Sequence, residues 1–421
     1  MPVDVLVGLQ WGDEGKGKII DILSPEYDVV ARFQGGPNAG HTLVIHDKKY
    51  IFHTLPSGVI RPKTVNILGS GMVIDPLIFK KEIETLEKEK IPTKGRILIS
   101  KNAHLILPTH RYLDAFYEEI KGDQKIGSTL KGIGPTYQDK IARVGIRVGD
   151  ILQHGFIEQY RRLKAKHLAY IDKEQKSRIE SEEENWMKAI DFIREFDLID
   201  AEEYLNKRYN ENANILAEGA QGTLLDINYG TFPYVTSSST ISSAACTGLG
   251  ISPGKIRDIY GVFKAYTTRV GEGPFMTEQK NKIGKLLIEK GHEYGSTTGR
   301  ERRCGWLDLV ALKYAMMLNG VNKLIMTKSD VLTHLDEINV CTRFLDSKNE
   351  IKNYTDQYYT KDIRPEYIKL ASWSKDISSL KNYQDLPMDF KKYVDFIEKE
   401  IGQELWMISV GPERSETILK D

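Results

Sequence analysis

Short apolar runs rich in β-branched residues recur along this chain, and they constrain its fold more than any other feature. They occupy residues 3–9, 28–33, 65–68, 97–100, 214–217, 259–265, 323–327 and 405–410. Between several of them, residues 77–88, 306–318 and 390–400 carry apolar side chains at three- and four-residue spacing, which predicts amphipathic helices. Strands that alternate with helices predict an α/β fold with a large, mostly parallel central sheet flanked by helices.

The charged stretch at residues 156–209 predicts a mostly helical segment. We expect it to pack on the sheet through Leu163, Trp186, Ile190 and Phe196. The sequence has no internal repeat and no long Pro/Ser/Gly linker. We therefore expect residues 1–421 to form a single α/β catalytic domain with helical subdomains, including a largely helical insertion at about residues 80–210. Residues 351–385 show weak periodicity and predict no particular element.

The charge balance and the cysteines limit the possible partners. Lys plus Arg and Asp plus Glu both number 59, so no global basic field exists to bind nucleic acid or an anionic membrane. The three cysteines lack metal-ligand spacing and predict no disulfide framework. The N-terminus lacks a signal-peptide profile, and no apolar run is long enough to cross a bilayer. We expect a cytoplasmic protein whose anion sites are local.

The strongest local signal is the loop GLQWGDEGKGK at residues 8–18, directly after the first apolar run. Its glycines allow a tight turn with N–H groups directed at an anion, and the next helix adds its positive N-terminal end. The spacing is that of a P-loop and predicts a P-loop-NTPase-like fold with helical insertions. Ile19 stands where Ser or Thr would bind magnesium, so Asp13 and Glu14 are the candidates to hold the cation.

A second glycine-rich loop, QGGPNAGHT, occupies residues 34–42 after the second apolar run. His41 titrates near neutrality and could act as a general acid or stabilise a developing oxyanion. A lone histidine is more often structural, and we assign that role to His46 and His53. The glycine-rich setting favours a catalytic role for His41.

The apolar run at residues 323–327 ends in Lys328, Ser329 and Asp330. A carboxylate in this position can accept hydrogen bonds from the ring N–H and the exocyclic amine of guanine, while the Lys stem covers the ring. Lys-x-Asp alone is a weak signal, because most such pairs are solvated. After an apolar strand it favours a guanine site.

Three further segments are polar loops of uncertain meaning by themselves. The stretch STTGRERR at residues 296–303 places three arginines beside three hydroxyls, which suits carboxylate or phosphate, although a basic surface loop is the alternative. The other two, at residues 127–135 with Arg143 beyond and at residues 218–223 continuing to 235–239, could equally be ordinary turns.

Together these segments resemble the adenylosuccinate synthetase family over essentially the whole chain. The matching motifs are WGDEGKGK at 11–18, GGPNAGHT at 35–42, GIGP at 132–135, EGAQG at 218–222, PYVTSS at 233–238, TGR at 298–300, GWLD at 305–308 and GP at 411–412. The resemblance implies a C–N-bond-forming ligase that converts GTP, inosine monophosphate (IMP) and L-aspartate into GDP, phosphate and adenylosuccinate through 6-phosphoryl-IMP. This is the first committed step from IMP to AMP.

The resemblance also implies roles for individual residues. The implied catalytic residues are Asp13, His41, Lys16 and Gln221, with Asp13 taking the N1 proton of IMP and His41 acting as acid. The implied GTP-binding residues are Gly12, Asp13, Glu14, Gly15, Lys16, Gly17, Lys18, Gly40, His41, Thr42, Arg302, Lys328, Ser329, Asp330, Ser409, Val410 and Gly411. The implied IMP-binding residues are Asp13, Glu14, Gly15, Lys16, Asn38, Ala39, Gly40, His41, Thr129, Arg143, Gln221, Thr236 and Arg300. The implied aspartate-binding residues are Ser296, Thr297, Thr298, Gly299, Arg300, Glu301 and Arg302.

One Mg²⁺ per site is implied, with Asp13 and the Gly40 carbonyl as ligands, and a homodimer in which Arg143 reaches IMP across the interface. The chain departs from the family pattern at Lys131, Glu301, Ser329 and Thr333-His334, which affects the implied aspartate and nucleotide contacts most. A regulatory GTPase and a nucleotide kinase are the alternative functions, and a non-catalytic nucleotide-binding module is a third.

Overall fold

The computed structural model describes residues 2–38, 40–45, 48–295, 299–360 and 362–420. Its strands, numbered along the chain, are β1 Val3–Gly8, β2 Val29–Arg32, β3 His41–Ile45, β4 Lys48–Phe52, β5 Val65–Leu68, β6 Val73–Ile74, β7 Ile97–Ser100, β8 His104–Leu105, β9 Asp197–Ile199, β10 Ile215–Glu218, β11 Ile256–Lys264, β12 Thr267–Arg269, β13 Arg303–Gly305, β14 Leu307–Asp308, β15 Lys323–Thr327, β16 Ile338–Leu345, β17 Ile351–Lys352, β18 Arg364–Leu370, β19 Leu405–Ser409 and β20 Thr417–Leu419. Its α-helices are α1 Lys16–Leu23, α2 Pro76–Lys88, α3 Pro108–Ile120, α4 Ile133–Ile141, α5 Phe156–His167, α6 Lys173–Ile193, α7 Ala201–Asn210, α8 Ala244–Leu249, α9 Lys282–Gly291, α10 Leu309–Asn319 and α11 Met388–Ile401.

A ten-stranded sheet forms the centre of the fold, in the order β20-β19-β15-β11-β1-β10-β2-β5-β7-β9. Neighbouring strands are parallel except for β20, which runs antiparallel to β19. The predicted α/β class with a mostly parallel sheet is confirmed. The edge strands β9 and β20 escaped prediction because each has only three residues.

Both faces of the sheet are buried, which explains the nearly continuous apolar runs. In β1, Val5 and Val7 face a large core that also contains residues of α10 and α11. Leu6 points the other way and packs with Ile19 and Ile20 of α1. Successive strand residues alternate between faces, so a strand covered by helices on both sides must be apolar at every position.

Residues 80–210 contain most of the helices on one side of the fold, but they also contribute β7 and β9 to the central sheet. Apolar side chains of α2, α5 and α6 share one core, which includes the four predicted anchors Leu163, Trp186, Ile190 and Phe196. The acidic run at residues 182–184 pairs with basic side chains around it. The division into one domain with helical subdomains stays a prediction.

The predicted start of α10 is wrong. Residues 351–385, for which no element was predicted, also contain two strands. Helix α10 begins at Leu309 rather than at residue 306, because the Asp308 carboxylate caps it by accepting from the Ala311 N–H at 3.0 Å. The weakly patterned stretch supplies β17 and β18, which pair with β16 in a smaller sheet. In the described residues, no helix is both long and apolar enough to span a membrane.

Candidate active site

The phosphate loop, residues 8–18, connects β1 to α1 at the carboxyl end of the central sheet. Gly12, Asp13 and Gly15 adopt left-handed backbone angles, with φ of 88°, 60° and 89°. Two of these positions hold glycine, and the third holds one of the few other residue types that tolerate this conformation. The loop therefore turns tightly just before the N-terminus of α1, as a phosphate-binding loop requires.

Glu14 braces this loop from inside. Its Oε1 accepts from the N–H groups of Gln10 at 3.1 Å and Gly12 at 2.8 Å, and its Oε2 pairs with Lys16 Nζ at 2.6 Å. The side chain is fully buried, and these contacts occupy both oxygens. Of the two acids considered as cation ligands, Asp13 is the one that the loop presents outward. Ile19, at the position of the usual P-loop hydroxyl, packs in the core.

Asp13 lies at one end of a series of linked ion pairs. Its Oδ2 accepts from Arg302 Nε at 2.8 Å, and Arg302 Nη1 donates to Glu293 Oε2 at 2.6 Å. Buried Lys264 donates to the other Glu293 oxygen at 2.8 Å. Burial would raise the pKa of Glu293, but Lys264, Lys328 and Arg302 hold it at about 2, so it is ionised. The Asp13 side chain itself is 27 % exposed.

His41 begins β3, and its ring is buried against a carboxylate. Its Nδ1 lies 2.7 Å from Glu218 Oε1, and Ser57 donates to Glu218 from both its N–H, at 2.8 Å, and its hydroxyl, at 2.7 Å. Burial lowers the pKa of His41 despite the opposing hydrogen bond to Glu218. Burial would raise the pKa of Glu218, yet His41 and Arg32 hold it below its usual value.

The ring is therefore neutral, with Nδ1–H donating to an ionised Glu218. Among the described residues, His41 Nε2 is buried and has no hydrogen-bond partner. An unpaired buried polar atom costs about 1–3 kcal/mol, so this nitrogen is suited to meet a ligand. The charge of Lys16 is close enough to contribute to the lowered pKa of His41, which places the phosphate loop near this ring.

The second glycine loop joins the loop after β10. Gln34 Nε2 donates to the Ala220 carbonyl at 2.6 Å, and Gln221 Nε2 donates to Asn38 Oδ1 at 3.0 Å. A side chain at Gly12 would lie 3.6 Å from the Gln221 backbone. Because β10 lies between β1 and β2, three loops that are distant in sequence meet at one sheet edge. Ala39 and the Thr42 side chain lie outside the described residues.

The predicted guanine segments also meet, since β15 and β19 are neighbours. Ser329 Oγ donates to the Ser409 carbonyl at 2.8 Å. In the part of the chain that the structure describes, Asp330 Oδ1 is buried without a hydrogen-bond partner, and burial raises the pKa of this carboxyl. The atom is placed to accept from a ligand donor. Ser329, one of the departures from the family pattern, thus links the two segments.

Lys18 of α1 makes hydrogen bonds to the last residue of β19 and to the segment that follows it. Its Nζ donates to Ser409 Oγ and the Gly411 carbonyl, both at 2.7 Å, and to the Glu416 carbonyl at 3.0 Å. Burial lowers its pKa from the ordinary 10.5 to about 8. Lys18 therefore connects α1 to the segment expected to read guanine.

The remaining predicted loops lie around this edge. Ser238 Oγ donates to Gln34 Oε1 at 3.1 Å, which ties the loop containing Thr236 to the second glycine loop. A side chain at Gly127 would lie 3.8 Å from Arg300 Nη1, so the loop containing half-buried Thr129 approaches Arg300. Arg143 is exposed, on a turn after α4 with φ of 62°.

The described part of the predicted aspartate loop, residues 299–302, pairs with residues 293–295, and we call these two paired segments the 293–302 hairpin. Arg302 N–H donates to the Glu293 carbonyl at 2.9 Å, and Tyr294 pairs with Glu301. Gly299 and Arg300 belong to the tip, whereas Ser296, Thr297 and Thr298 lie outside the described residues. Arg303, the third arginine of the motif, pairs with Glu278 at 2.7 Å and 2.6 Å and belongs to the scaffold.

Sequence reasoning missed several charged residues that support the site. Glu218 belongs to the EGAQG motif, but its pairing with His41 was not predicted, although an acid at the end of an apolar strand was an available signal. Lys264 and Glu293 gave none, since nothing local indicates that they would pair in the interior. Asp114 also escaped notice, although it accepts from Ser128 Oγ at 2.7 Å and from the Gly132 N–H at 2.9 Å.

The fold and these loops define a class, an α/β nucleotide-dependent enzyme with a phosphate loop that lacks the usual metal-binding hydroxyl. The sequence-family model described as adenylosuccinate synthetase matches residues 5–418. This chain belongs to the adenylosuccinate synthetase family, whose members are ligases that form a C–N bond.

Named relatives agree over the full length. The chain is 51 % identical to the adenylosuccinate synthetase of Flavobacterium johnsoniae over 423 residues, covering 100 % of both chains. It is similar to the fully ligated adenylosuccinate synthetase structure of Plasmodium falciparum, with a TM-score of 0.91, 38 % identity and full coverage of both chains. The succinoaminodeoxyadenylate synthetase of cyanophage S-2L, at 19 % identity and a TM-score of 0.63 over 99 % of this chain and 95 % of that one, shares the fold.

Proposed function

We propose that this chain joins L-aspartate to C6 of IMP at the expense of GTP, giving adenylosuccinate, GDP and phosphate. The observation that carries the proposal is the meeting of the two glycine loops. One presents the Asp13 carboxylate, and the other presents the buried Nε2 of His41, which has no partner among the described residues, with the Lys16 charge close enough to lower the pKa of this ring. An acid and an imidazole around a phosphate site suit phosphoryl transfer to an oxygen whose proton must be removed.

In the proposed first step, Asp13 accepts the N1 proton of IMP while the 6-oxygen attacks the γ-phosphorus of GTP. The bond between that phosphorus and the β–γ bridging oxygen breaks, and GDP leaves. N1–H is a far weaker acid than a carboxyl, so the charge developing on the 6-oxygen must be stabilised. Lys16 and the loop amides supply positive charge there.

In the second step, the aspartate amine attacks C6 and the C6–O bond breaks, releasing phosphate with the former 6-oxygen. Phosphorylation replaces oxide, a poor leaving group, with phosphate, a good one.

His41 acts as a general acid toward the phosphate that is transferred in the first step. Because its resting ring is neutral, with the proton on Nδ1, it must first gain a proton at Nε2 when the negative γ-phosphate arrives.

The donor set suits one Mg²⁺. The Asp13 carboxylate and the Gly40 carbonyl are hard oxygen ligands, and the Gly40 carbonyl would replace the hydroxyl that Ile19 lacks. When bound, the ion would neutralise charge on the phosphate oxygens. Asp13 is paired with Arg302 in this structure, so that contact must be exchanged when the metal and substrates bind.

For the substrates, we propose that Asp330, Lys328 and the segment at residues 409–411 read guanine, and that the 296–302 tip holds aspartate. We propose that IMP is bound by Asn38, Thr129, Gln221, Thr236 and Arg300, with Arg143 contributed from the second subunit of a homodimer. The buried Asp330 oxygen supports the first assignment, since adenine offers no pair of adjacent donors to it. A cytoplasmic location stays a prediction; the three cysteines are free.

The test is an omission experiment on purified protein with GTP, Mg²⁺, IMP and aspartate. We expect phosphate release and a new ultraviolet-absorbing adduct only in the complete mixture. Free phosphate that is undiminished without aspartate would favour a regulatory GTPase, whereas GDP formed together with a phosphorylated nucleotide, without free phosphate, would favour a nucleotide kinase. Binding of the nucleotides without any consumption of GTP would identify a non-catalytic module.

The shared site has its own test. Arg143→Leu should weaken IMP binding, and mixing it with an inactive Asp13→Asn partner should restore activity. The mixed dimer has one site with both an intact Asp13 and an intact Arg143. Activity no higher than that of the separate variants would contradict a contribution across the interface.

A further inference from the structure

His110 of α3, Asp139 of α4 and His167 of α5 form a cluster outside the loops described above. Both His110 Nε2, at 2.9 Å, and His167 Nε2, at 3.0 Å, contact the same oxygen, Asp139 Oδ2. The His110 ring is fully buried and the His167 ring is 7 % exposed. Two histidines and a carboxylate at this spacing resemble a metal site.

The hydrogen bonds of His110 argue against a metal. Its Nδ1 accepts from the Leu107 N–H at 2.9 Å, so in the neutral ring the proton is on Nε2 and is donated to Asp139. A metal at Nε2 would require that proton to move to Nδ1, where the Leu107 N–H already points. His167 Nδ1 is likewise engaged, with Thr109 Oγ1 at 2.7 Å. The cluster is a hydrogen-bonded junction of three helices.

Helix α4 is the element that this junction anchors. Asp139 lies in its last turn, and the Asp139 carbonyl accepts from the N–H groups of Val144 at 3.0 Å and Gly145 at 3.1 Å. These bonds fix the turn in which Arg143 takes its left-handed conformation. The same residue thus holds two histidines with its side chain and the Arg143 turn with its backbone.

The start and the middle of α4 contact two more segments assigned to IMP. Gly132, which precedes α4, packs so closely on α3 that a side chain there would lie 2.8 Å from His110 Cβ, and it ends the loop that carries Thr129. Tyr137 accepts from the Gly35 N–H at 2.9 Å and donates to the Gly71 carbonyl at 2.8 Å. Helix α4 therefore touches the segments of Thr129, Asn38 and Arg143.

We propose that Asp139, His110 and His167 are positioning residues for IMP, acting by holding α4 in register with the three segments that bind this substrate. This inference rests on the proposed function. The residues assigned to guanine lie at and after the ends of β15 and β19, and most of those assigned to aspartate lie on the 293–302 hairpin, so a shift of α4 changes IMP binding first. Misplacing binding groups by about 1 Å can reduce activity about a hundredfold.

Asp139→Ala tests the junction, with steady-state KM measured separately for the three substrates. We expect KM for IMP to rise about tenfold or more, while KM for GTP and for aspartate and kcat change less than about threefold. Asp139→Asn should restore KM for IMP to within about threefold, because its carbonyl oxygen can accept from both histidines. Glu183→Gln is the matched control. It removes the charge of the α6 carboxylate that pairs with Lys164 of α5, and its three KM values should equal those of the wild type.

An unchanged KM for IMP in Asp139→Ala, or equal losses for all three substrates, would overturn the proposal. Should Asp139→Ala not fold, Thr109→Val removes only the hydroxyl that fixes His167 and should raise KM for IMP about threefold. Stoichiometric zinc retained by wild type and lost in Asp139→Ala would show a metal site and overturn the junction. If the wild type is active in the complete mixture, the proposed function holds even when this positioning role is contradicted.

Discussion

The phosphate loop and the 293–302 hairpin are both short connections at the same edge of the sheet, yet they are held in different ways. In the phosphate loop, buried Glu14 binds two backbone N–H groups and Lys16 from within. In the hairpin, the strong contacts are at the base, where Arg302 meets Glu293. At the tip, Glu301 is exposed, and a side chain at Gly299 would meet no described atom within 4 Å.

The two regions therefore differ in how far their binding groups are ordered before the substrate arrives. Groups held in place before the substrate arrives need no ordering at the moment of reaction, which suits stabilisation of a transition state. In the described part of the tip, Arg300 makes an exposed ion pair with Glu272 at 3.3 Å, and because such exposed pairs are weak, we expect the substrate to supply part of the ordering there. We therefore expect changes around the phosphate loop to reduce kcat strongly, and a change at Glu301 of the tip to alter chiefly the binding of aspartate.

The largest effect is expected from Asp13→Asn. Asparagine tolerates the left-handed backbone, so the loop should persist while the proposed base is lost. Turnover should fall by about 10³-fold or more, measured as adduct formation in the complete mixture. Circular dichroism should stay close to wild type. Activity within about tenfold of wild type would show that another group accepts the N1 proton.

Glu218→Gln should have the next largest effect. The amide keeps the shape but loses the charge that allows His41 to become an imidazolium, so kcat should fall about 10–100-fold. Calorimetry of GTP binding in buffers of different ionisation enthalpy should detect proton uptake in wild type and its loss in the variant. Ser57→Ala, which leaves the His41–Glu218 contact in place, is the control. Equal proton uptake in all three proteins would contradict this role.

A smaller effect is expected from pH. The pKa of Lys18 is lowered to about 8, so its ammonium should lose a proton above that pH. The loss should weaken its three hydrogen bonds to the end of β19 and the segment after it, part of which we propose reads guanine. KM for GTP should rise about three- to tenfold between pH 8 and 9.5. Lys18→Met should have a high KM for GTP that no longer varies over this range.

Unfolding cannot produce the same trend through this group. Between pH 8 and 10.5 the unfolded chain binds more protons at Lys18 than the folded protein does. The contribution of Lys18 to the free energy of unfolding therefore increases with pH over this range. A KM for aspartate that rises in parallel with the KM for GTP would contradict an effect confined to the guanine pocket.

The smallest effect is expected at the tip, from Glu301→Arg. Its carboxylate is exposed and lies in the loop proposed to bind a dicarboxylate, so exchanging its charge should lower KM for aspartate about two- to threefold. The gain should shrink in high salt, while KM for GTP and for IMP should not change. A fall in kcat of more than about tenfold would show that the tip is as strongly coupled to the chemistry as the phosphate loop.

Local patterns predicted the strands, the phosphate loop and the guanine segment, because each depends on residues adjacent in sequence. They did not reveal the inward role of Glu14, since a carboxylate within a loop can face a ligand or the loop itself. They also gave a wrong start for α10, because helical periodicity continues back through the residues that form β14. Asp308 determines the boundary by capping the helix.

Local sequence patterns indicated the α/β class and the loops that we propose carry the chemistry, because apolar periodicity and glycine placement act over a few residues. Which charged side chains contact one another follows only from the three-dimensional arrangement of the chain. Glu218 reaches His41 across 177 positions, and Arg302 reaches Asp13 across 289. Such pairs depend on strand order and burial, which bring distant residues into one low-dielectric site where their protonation states become coupled.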